Sequence, residues 1–370
     1  MSSKTKIGVI GCGQISDAYF KASETFDNIE VTACADINME TAQAKAEEYK
    51  IKALTVDELL ADPEIEIVIN LTIPKVHAEI AIKTLEAGKH AYAEKPLAIS
   101  TEEAKQVMEV AKAKGLRVGC APDTFLGGGQ QTARKLIEDG WIGKPISGTA
   151  IVMGCGPERY YHKAPAFFYK PGGGPMFDLG VYYITALVNL LGPAKGVSAV
   201  VSKGFEERIT GPQGINPFEK LPVNVPTHYS GTIEFQNGTM ITLIASFDVW
   251  KAEHTPIEIH GTHGSLQVPD PNSFGGPIKL AVGDKQGVEW SDCPVTHQYT
   301  DNMRSIGVAD MAKAIATGRK HRASGELASH VLDIMESFEK SSNAKKYVEL
   351  ESTCEQPAAM PIGLRLGDLD

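Results

Sequence analysis

The sequence predicts an α/β chain in two parts, a doubly wound parallel sheet followed by an α+β domain built on antiparallel strands. Three observations carry that expectation. Strands and helices alternate over the first 120 residues. A Gly11-Cys12-Gly13-Gln14-Ile15-Ser16 loop follows the first strand, where a doubly wound sheet turns tightly into its first helix. After Pro122 the pattern changes to longer strands joined by hairpin signals. A length of 370 residues exceeds what one ordinary core holds. The boundary is placed at Pro122, with residues 1–122 as the first domain and 123–370 as the second.

The elements follow in order. IGVI (7–10) is a short apolar strand, and a helix runs from Gln14 to about Thr25. IEVTACA (29–35) is the second strand and ends at Asp36; the next helix sets Met39, Ala42, Ala46 and Tyr49 on one face. After the helix and turn of DELLADPE comes the strand IEIVINL (65–71). Ala78, Ala81 and Leu85 stripe a helix that stops at Gly88. HAYAE (90–94) is a strand, Ala104, Val107, Met108 and Ala111 stripe another helix ending at Gly115, and LRVGC (116–120) closes the series. Beyond Pro122, one more helix is expected at 129–140. HYSGTIEFQ and GTMITLIASF flank Asn237-Gly238, a two-residue hairpin signal, and IEIHG and GSLQV flank a turn at Thr262-His263. Further strands are expected near 146–153, 195–205, 278–282 and 287–290, and helices near 304–317 and 324–341. The tail CEQPAAMPIGLRLGDLD has no period and reads as extended.

Composition narrows the function classes. The formal net charge is −10 and no long run of Lys or Arg occurs, which argues against nucleic acid or an anionic membrane as partner. The N-terminal apolar stretch is short and interrupted by Gly8, Gly11 and Gly13, unlike a signal or membrane segment. The six cysteines are scattered, and Cys12, Cys34 and Cys120 fall in or beside core strands. They read as buried thiols of a cytoplasmic protein, and no His/Asp/Glu cluster has metal-ligand spacing, so no metal is expected.

The loop at 11–16 is one where a dinucleotide pyrophosphate would lie, with Gly11, Gly13, Gln14 and Ile15 as contacts and Ser16 small enough for helix and strand to pack closely. Asp36 lies 20 residues beyond it, at the end of strand two. A carboxylate there accepts from ribose hydroxyls and repels a 2′-phosphate, and Ile37 and Asn38 supply no compensating cation. NAD is therefore the expected cofactor, and capping of the next helix by Asp36 is compatible with that role. Thr72 and Pro74 lie where a strand turns to a helix and are expected to touch the cofactor; His77 is either a further contact or a helix-start residue. Glu94-Lys95-Pro96 places an ammonium group at the carboxyl end of a later strand, the edge where such sheets bind ligands. A cation beside a nicotinamide suggests hydride transfer on an alcohol.

These residues together resemble the Gfo/Idh/MocA oxidoreductase family. The resemblance rests on GCGQIS, Asp36, the run HAEIAIKTLEAGKHAYAEKP (77–96), and Gly172-Gly173-Gly174-Pro175-Met176-Phe177-Asp178-Leu179-Gly180-Val181-Tyr182-Tyr183. It implies an N-terminal Rossmann domain and a second domain with a large open sheet that commonly mediates dimer or tetramer formation. It also implies NAD(P)-dependent oxidation or reduction of a secondary alcohol on a sugar, cyclitol or related carbohydrate. Glu94 and Lys95 take the family's Glu-Lys positions beside the cofactor, and Asp178 takes its motif aspartate. Many members carry a His four residues after that aspartate, where this chain has Tyr182. Many also carry an Arg-containing segment where this chain has APDTFLGGG (121–129), which brings Asp123 to a region that borders the substrate.

Oxidising a secondary alcohol requires a base for the hydroxyl proton. A free tyrosine titrates near ~10, and a neighbouring ammonium and the cationic nicotinamide would lower that by ~1–3 units. Tyr182 is the first candidate base, with Lys95 as the ammonium and Asp178 one helical turn away on the same face. His162, in the aromatic loop ERYYHKAPAFFYKPGGG, is the rival base and a substrate contact; Tyr183 is a further substrate contact or a core aromatic. Gly172–Gly174 reads as a loop whose lack of side chains admits substrate. Two alternatives use the same cofactor: a redox-assisted glycosidase or lyase that recycles NAD, and a non-catalytic sensor, which the intact Lys95, Asp178 and Tyr182 argue against. A small carbohydrate or polyol is the expected partner, along with a second copy of the chain.

Overall fold

A computed structural model describes residues 4–160, 164–213, 215–283 and 287–370. The chain forms two compact units.

The first unit is built on a six-stranded sheet in the order β3-β2-β1-β4-β5-β6. The strands are β1 (Thr5–Ile10), β2 (Ile29–Ala35), β3 (Lys52–Ala53), β4 (Ile67–Asn70), β5 (His90–Ala93) and β6 (Val118–Cys120). Every pairing is parallel. The strand order reverses between β1 and β4, the position where sheets of this kind bind ligands at the carboxyl ends of their strands. Residues 7–10 of β1 and all of β4 are buried, as expected where helices cover both faces of a parallel sheet. Ile10, Ala33, Ala35, Leu59, Ile65 and Val68 form one such buried cluster. Helix ends are marked by local chemistry. Thr55 and Glu58 make a reciprocal capping box, Ser100 caps Thr101–Lys114, and Gly115 ends that helix in the left-handed region. The helix expected over 14–25 is divided at Lys21 into Ser16–Phe20 and Ala22–Thr25.

The second unit is built on nine strands in the order β16-β15-β14-β13-β7-β12-β11-β8-β17. These are β7 (Pro145–Met153), β8 (Ala194–Ser202), β11 (His228–Phe235), β12 (Met240–Ser246), β13 (Ile257–Gly261), β14 (Gly264–Val268), β15 (Ile278–Val282), β16 (Ser291–Cys293) and β17 (Val348–Glu349); β9 (Glu207–Ile209) and β10 (Lys220–Pro222) form a separate ribbon. All pairs in the large sheet are antiparallel except β7 with β12. The helix Val181–Leu191 is buried along its whole length, as its apolar sequence requires. Asn237-Gly238 does turn the chain between β11 and β12, but only Gly238 takes positive φ. The mirror-image two-residue turn needs it at both residues. The strand expected at 287–290 lies instead at Ser291–Cys293.

The compact units do not follow a single cut at Pro122. Residues 1–128, 296–329 and 357–370 form the first unit, and 129–295 with 330–356 form the second. The cause is a set of bonds between positions far apart in sequence. The Cys120 amide donates to the Ala323 carbonyl at 3.0 Å and Gly119 bridges Ser324, so the 323–324 segment extends the β6 edge. The Asp310 carboxylate is buried between Arg319 at 2.6 Å and Arg322 at 2.5 Å. Arg322 also clamps both oxygens of Asp370, at 2.8 and 2.9 Å. The tail is irregular, as expected, and it is held through this clamp. Cys12, Cys34 and Cys120 are buried, and no cysteine forms a disulfide. Among the described residues, no helix is long and apolar enough to cross a membrane.

Asp123 belongs to this tie. Its Oδ2 accepts the amides of Ser305 at 2.9 Å and Gly307 at 3.0 Å, at the start of the helix Ile306–Thr317. Its side chain is spent inside the first unit, which corrects the expectation that it contacts substrate. Burial pushes the carboxyl up to about 6 from an ordinary 3.8. The folded state therefore holds the proton more tightly than the unfolded state does. The stability this contributes is complete below pH ~4 and is lost as pH rises to ~6. Asp123→Asn keeps an oxygen for both amides and does not titrate. In denaturant unfolding, the parent is expected to lose on the order of 2–3 kcal/mol relative to this variant between pH 4 and 6.5. Parallel profiles would show that Asp123 is ionised throughout.

Candidate active site

Gly11 takes φ +101° at the end of β1. A Cβ there would stand 2.8 Å from the carbonyl carbon and oxygen of Leu71, so only glycine lets the two strand-end loops approach. The Cys12 amide donates to Asp36 Oδ2 at 2.8 Å, and the Asn38 amide to Oδ1 at 2.9 Å. These bonds hold the carboxylate at the end of β2 while each oxygen keeps a lone pair for a ligand. Ser16 is fully buried and donates through Oγ to the Gly13 carbonyl at 2.7 Å, which accounts for a small hydroxyl residue at that position. Gly13 and Gln14 are exposed and Ile15 is half-buried. Asp36 caps nothing directly; Asn38 caps the helix Met39–Tyr49.

The loops after β4 and β5 are joined by a buried network. Asn70 Oδ1 accepts both the amide (3.1 Å) and the hydroxyl (2.6 Å) of Thr72. The His77 ring lies between two carbonyls, with Nδ1 2.6 Å from Pro96 O and Nε2 3.0 Å from Thr72 O. His77 is fully buried, and it braces the loop after β4 against the loop after β5. Burial pulls the imidazole toward its neutral form, against the two carbonyls. Pro74 is also buried, and the exposed apolar residue of that turn is Ile73. Glu94 accepts from the Tyr19 hydroxyl at 2.7 Å and from the Lys95 amide at 3.1 Å. Both carboxylate oxygens of Glu94 therefore have protein donors that orient the turn carrying Lys95. Lys95 is half-buried at the carboxyl end of β5.

In the second unit, Asp178 is half-buried in a π-helical turn, Met176–Gly180, which leads into the α-helix Val181–Leu191. The expected single α-helical face for Asp178 and Tyr182 thus crosses a change of pitch. Single π turns of this kind recur at functional sites. Tyr182 is 8% exposed. Tyr183 is more deeply buried, and burial with the Asp270 carboxylate beside it holds its phenol far above the ordinary value. This makes Tyr183 a core residue and corrects its assignment as a substrate contact. Gly172–Gly174 has a reason for its glycines within the fold. Gly172 and Gly174 take positive φ, and a Cβ on Gly173 would stand 2.6 Å from the Phe167 carbonyl oxygen. The missing side chains serve the chain's own packing. His162 lies outside the described residues.

Residues 5–121 match the model of an oxidoreductase family with an NAD-binding Rossmann fold, Gfo/Idh/MocA. Residues 130–267 match the C-terminal domain of the same family, and the two matches together span more than half of the chain. The chain belongs to the Gfo/Idh/MocA oxidoreductase family. It is 33% identical over 177 residues to an uncharacterized oxidoreductase of Schizosaccharomyces pombe, a match that covers 46% of this chain and about half, 47%, of that protein. It is 27% identical to the D-glucoside 3-dehydrogenase of Escherichia coli, covering 88% of this chain and 87% of that one. A crystal structure of levoglucosan dehydrogenase with NADH and levoglucosan superposes with a TM-score of 0.81 at 25% identity, covering 94% of this chain and 99% of that one.

The residues of this Gfo/Idh/MocA protein fit NAD. Gly11 leaves its backbone bare, Gly13 has nothing within 4 Å of where a Cβ would stand, and the Asp36 carboxylate is fixed. Two apolar residues of these loops are exposed. Ile37 is fully exposed directly after Asp36, and Ile73 is 59% exposed directly after Thr72. Both put apolar surface at the ends of the strands, Ile37 after β2 and Ile73 after β4. Tyr19, which holds Glu94, gave no signal beyond a place on the first helix.

Cofactor choice tests this geometry. The native protein is expected to favour NAD over NADP in kcat/KM. Asp36→Ser with Ile37→Arg should move the ratio toward NADP by at least ~10-fold, because repulsion is removed and a phosphate partner is added. A native preference for NADP would refute the role of Asp36.

Proposed function

We propose that the protein transfers hydride between a secondary hydroxyl of a sugar, glycoside or cyclitol and NAD. The observation that carries this reading is the turn at Lys95. An ammonium stands at the carboxyl end of β5, in the same sheet as the nucleotide loop, with its backbone fixed through Glu94 and through the His77 brace on Pro96. The glucoside and levoglucosan dehydrogenases named above support the substrate class.

Bound NAD supplies the hydride acceptor. Lys95 is assigned the hydrogen bond to the reacting oxygen, where its charge stabilises the developing alkoxide. Tyr182 is assigned proton removal. Burial alone would raise a phenol, so this role requires a cation near its hydroxyl during turnover. Asp178, in its π turn, is assigned orientation of the substrate hydroxyl. Lys95→Ala is expected to lower kcat by at least ~100-fold while NAD binding, read by fluorescence titration, persists. Tyr182→Phe should cost at least ~100-fold in kcat with an unchanged fold. The parent kcat/KM should rise with an apparent pKa between ~7 and 9; a rise near ~6.5 together with a dead His162→Ala would move the base to His162.

We also propose a homodimer or homotetramer formed through the outer face of the nine-stranded sheet. Ser198, Thr232, Thr242, Thr149 and Glu258 lie in register across β8, β11, β12, β7 and β13, all exposed or half-buried. Val200 and Met240 expose apolar surface on the same face, at 70% and 54%. Light scattering should give a dimer or tetramer mass that Val200→Lys with Met240→Lys reduces; a monomeric parent would overturn the proposal.

A further inference from the structure

A short aromatic rim stands on the segments that leave β7 and β12, and the π turn carrying Asp178 packs against β12. The segment after β7 runs back along the segment after β12: Cys155 bridges Asp248, and the Val249 amide donates to the Gly154 carbonyl at 3.2 Å. This pairing brings Trp250 to Arg159, whose guanidinium carbon lies 4.4 Å from the centre of the indole ring. The next residue, Tyr160, is close enough to Asp178 that the carboxylate, after burial, raises its phenol. Arg159 is not loose. The backbone of its neighbour Glu158 accepts the Gly211 amide at 2.9 Å. The buried Glu158 carboxylate lies 3.7 Å from Arg159 Nε and 3.6 Å from Arg208, and it accepts from the Tyr169 hydroxyl. Yet Trp250 is 70% exposed and Tyr160 is 59% exposed. The Trp250 ring is thus held by an anchored arginine, the Tyr160 backbone is fixed by its amide bond to the Pro157 carbonyl at 3.1 Å, and both rings leave most of their surface open.

The chemistry of this rim suits a neutral carbohydrate ring. A pyranose offers an apolar C–H face for stacking on an indole or phenol and a rim of hydroxyls for charged donors and acceptors. Trp and Tyr supply the first, with little rotamer freedom to lose. The Arg159 guanidinium and the Asp178 carboxylate supply the second. A phosphorylated ligand would meet Asp178 as well as Arg159, which disfavours an anion.

We propose that Trp250, Arg159 and Tyr160 form a subsite for the second ring of a glycoside, an outer sugar or an aromatic aglycone, beside the ring that is oxidised. This rests on the reading of Asp178 as a substrate-orienting residue. The substrate class is thereby narrowed from free monosaccharides and cyclitols to glycosides with a second ring.

The test is equilibrium binding without turnover, by calorimetry on the full chain with NADH present, so that it stands whether or not Lys95 and Tyr182 have the roles assigned to them. The probes are glucose, cellobiose, maltose and phenyl glucosides. At least one two-ring probe is expected to bind the parent about tenfold tighter than glucose. Trp250→Ala should lose that advantage, Arg159→Ala should lose part of it, and glucose should bind all three proteins alike. Trp250→Phe, which keeps a ring, should bind between parent and Trp250→Ala. The proposal is overturned if no two-ring probe binds better than glucose, or if glucose weakens in step with the others. It is equally overturned if Trp250→Ala changes the mass by light scattering, which would make Trp250 part of an interface between copies.

Discussion

The nucleotide edge of the first unit depends on how closely two strand ends can approach. At Gly11 the backbone lies against Leu71 and Thr72 with no room for a side chain. That approach follows from β1 pairing with β4 while β2 lies on its other side, the arrangement that opens a crevice in a doubly wound sheet. Once it is made, the Cys12 amide meets Asp36 and the Thr72 loop faces the same edge. His77 then ties that loop to Pro96. The Gly11 loop, the Asp36 carboxylate and the turn of Lys95 are placed by one steric fact and the bonds that follow from it.

The sequence made the parallel half of the fold legible because its signals are local. Apolar runs, helix stripes and Gly11 are properties of neighbouring residues. Asp123 was misread for the opposite reason. Its partners, Ser305 and Gly307, lie 182 and 184 residues away, and no local pattern announces a bond of that span. Proximity in sequence to a substrate-bordering segment suggested a ligand, and a helix start elsewhere in the chain had already taken the carboxylate. The same blindness hid the membership of residues 296–329 in the first unit.

In the second unit the motif was legible and its geometry was not. The order Asp178…Tyr182 is plain, but a π turn is a backbone event with no residue type of its own. Three glycines in a row suggested an opening for substrate. In the fold they are consumed by positive φ and by the Phe167 carbonyl. Tyr182 and Tyr183 stand next to each other in sequence, and deeper burial with the Asp270 carboxylate beside Tyr183 sets that residue apart. By contrast, Trp250 lies in the segment beyond β12, and a single tryptophan outside a regular element carries no local pattern that points to a ligand.

The extension of β6 by the 323–324 segment has a consequence for the order in which the protein is made. The strand that closes the first sheet is synthesised early, yet its outer neighbour follows much later, His321 meeting Val118 across 203 positions. At ~5–20 residues per second, that edge waits roughly 10–40 s on the ribosome. During this interval β6 presents unpaired amides and carbonyls flanked by apolar side chains, the kind of edge that recruits another strand. The nascent first unit therefore has its exposed interval before its last partner emerges, and a cell making this protein quickly would need something to shield that edge.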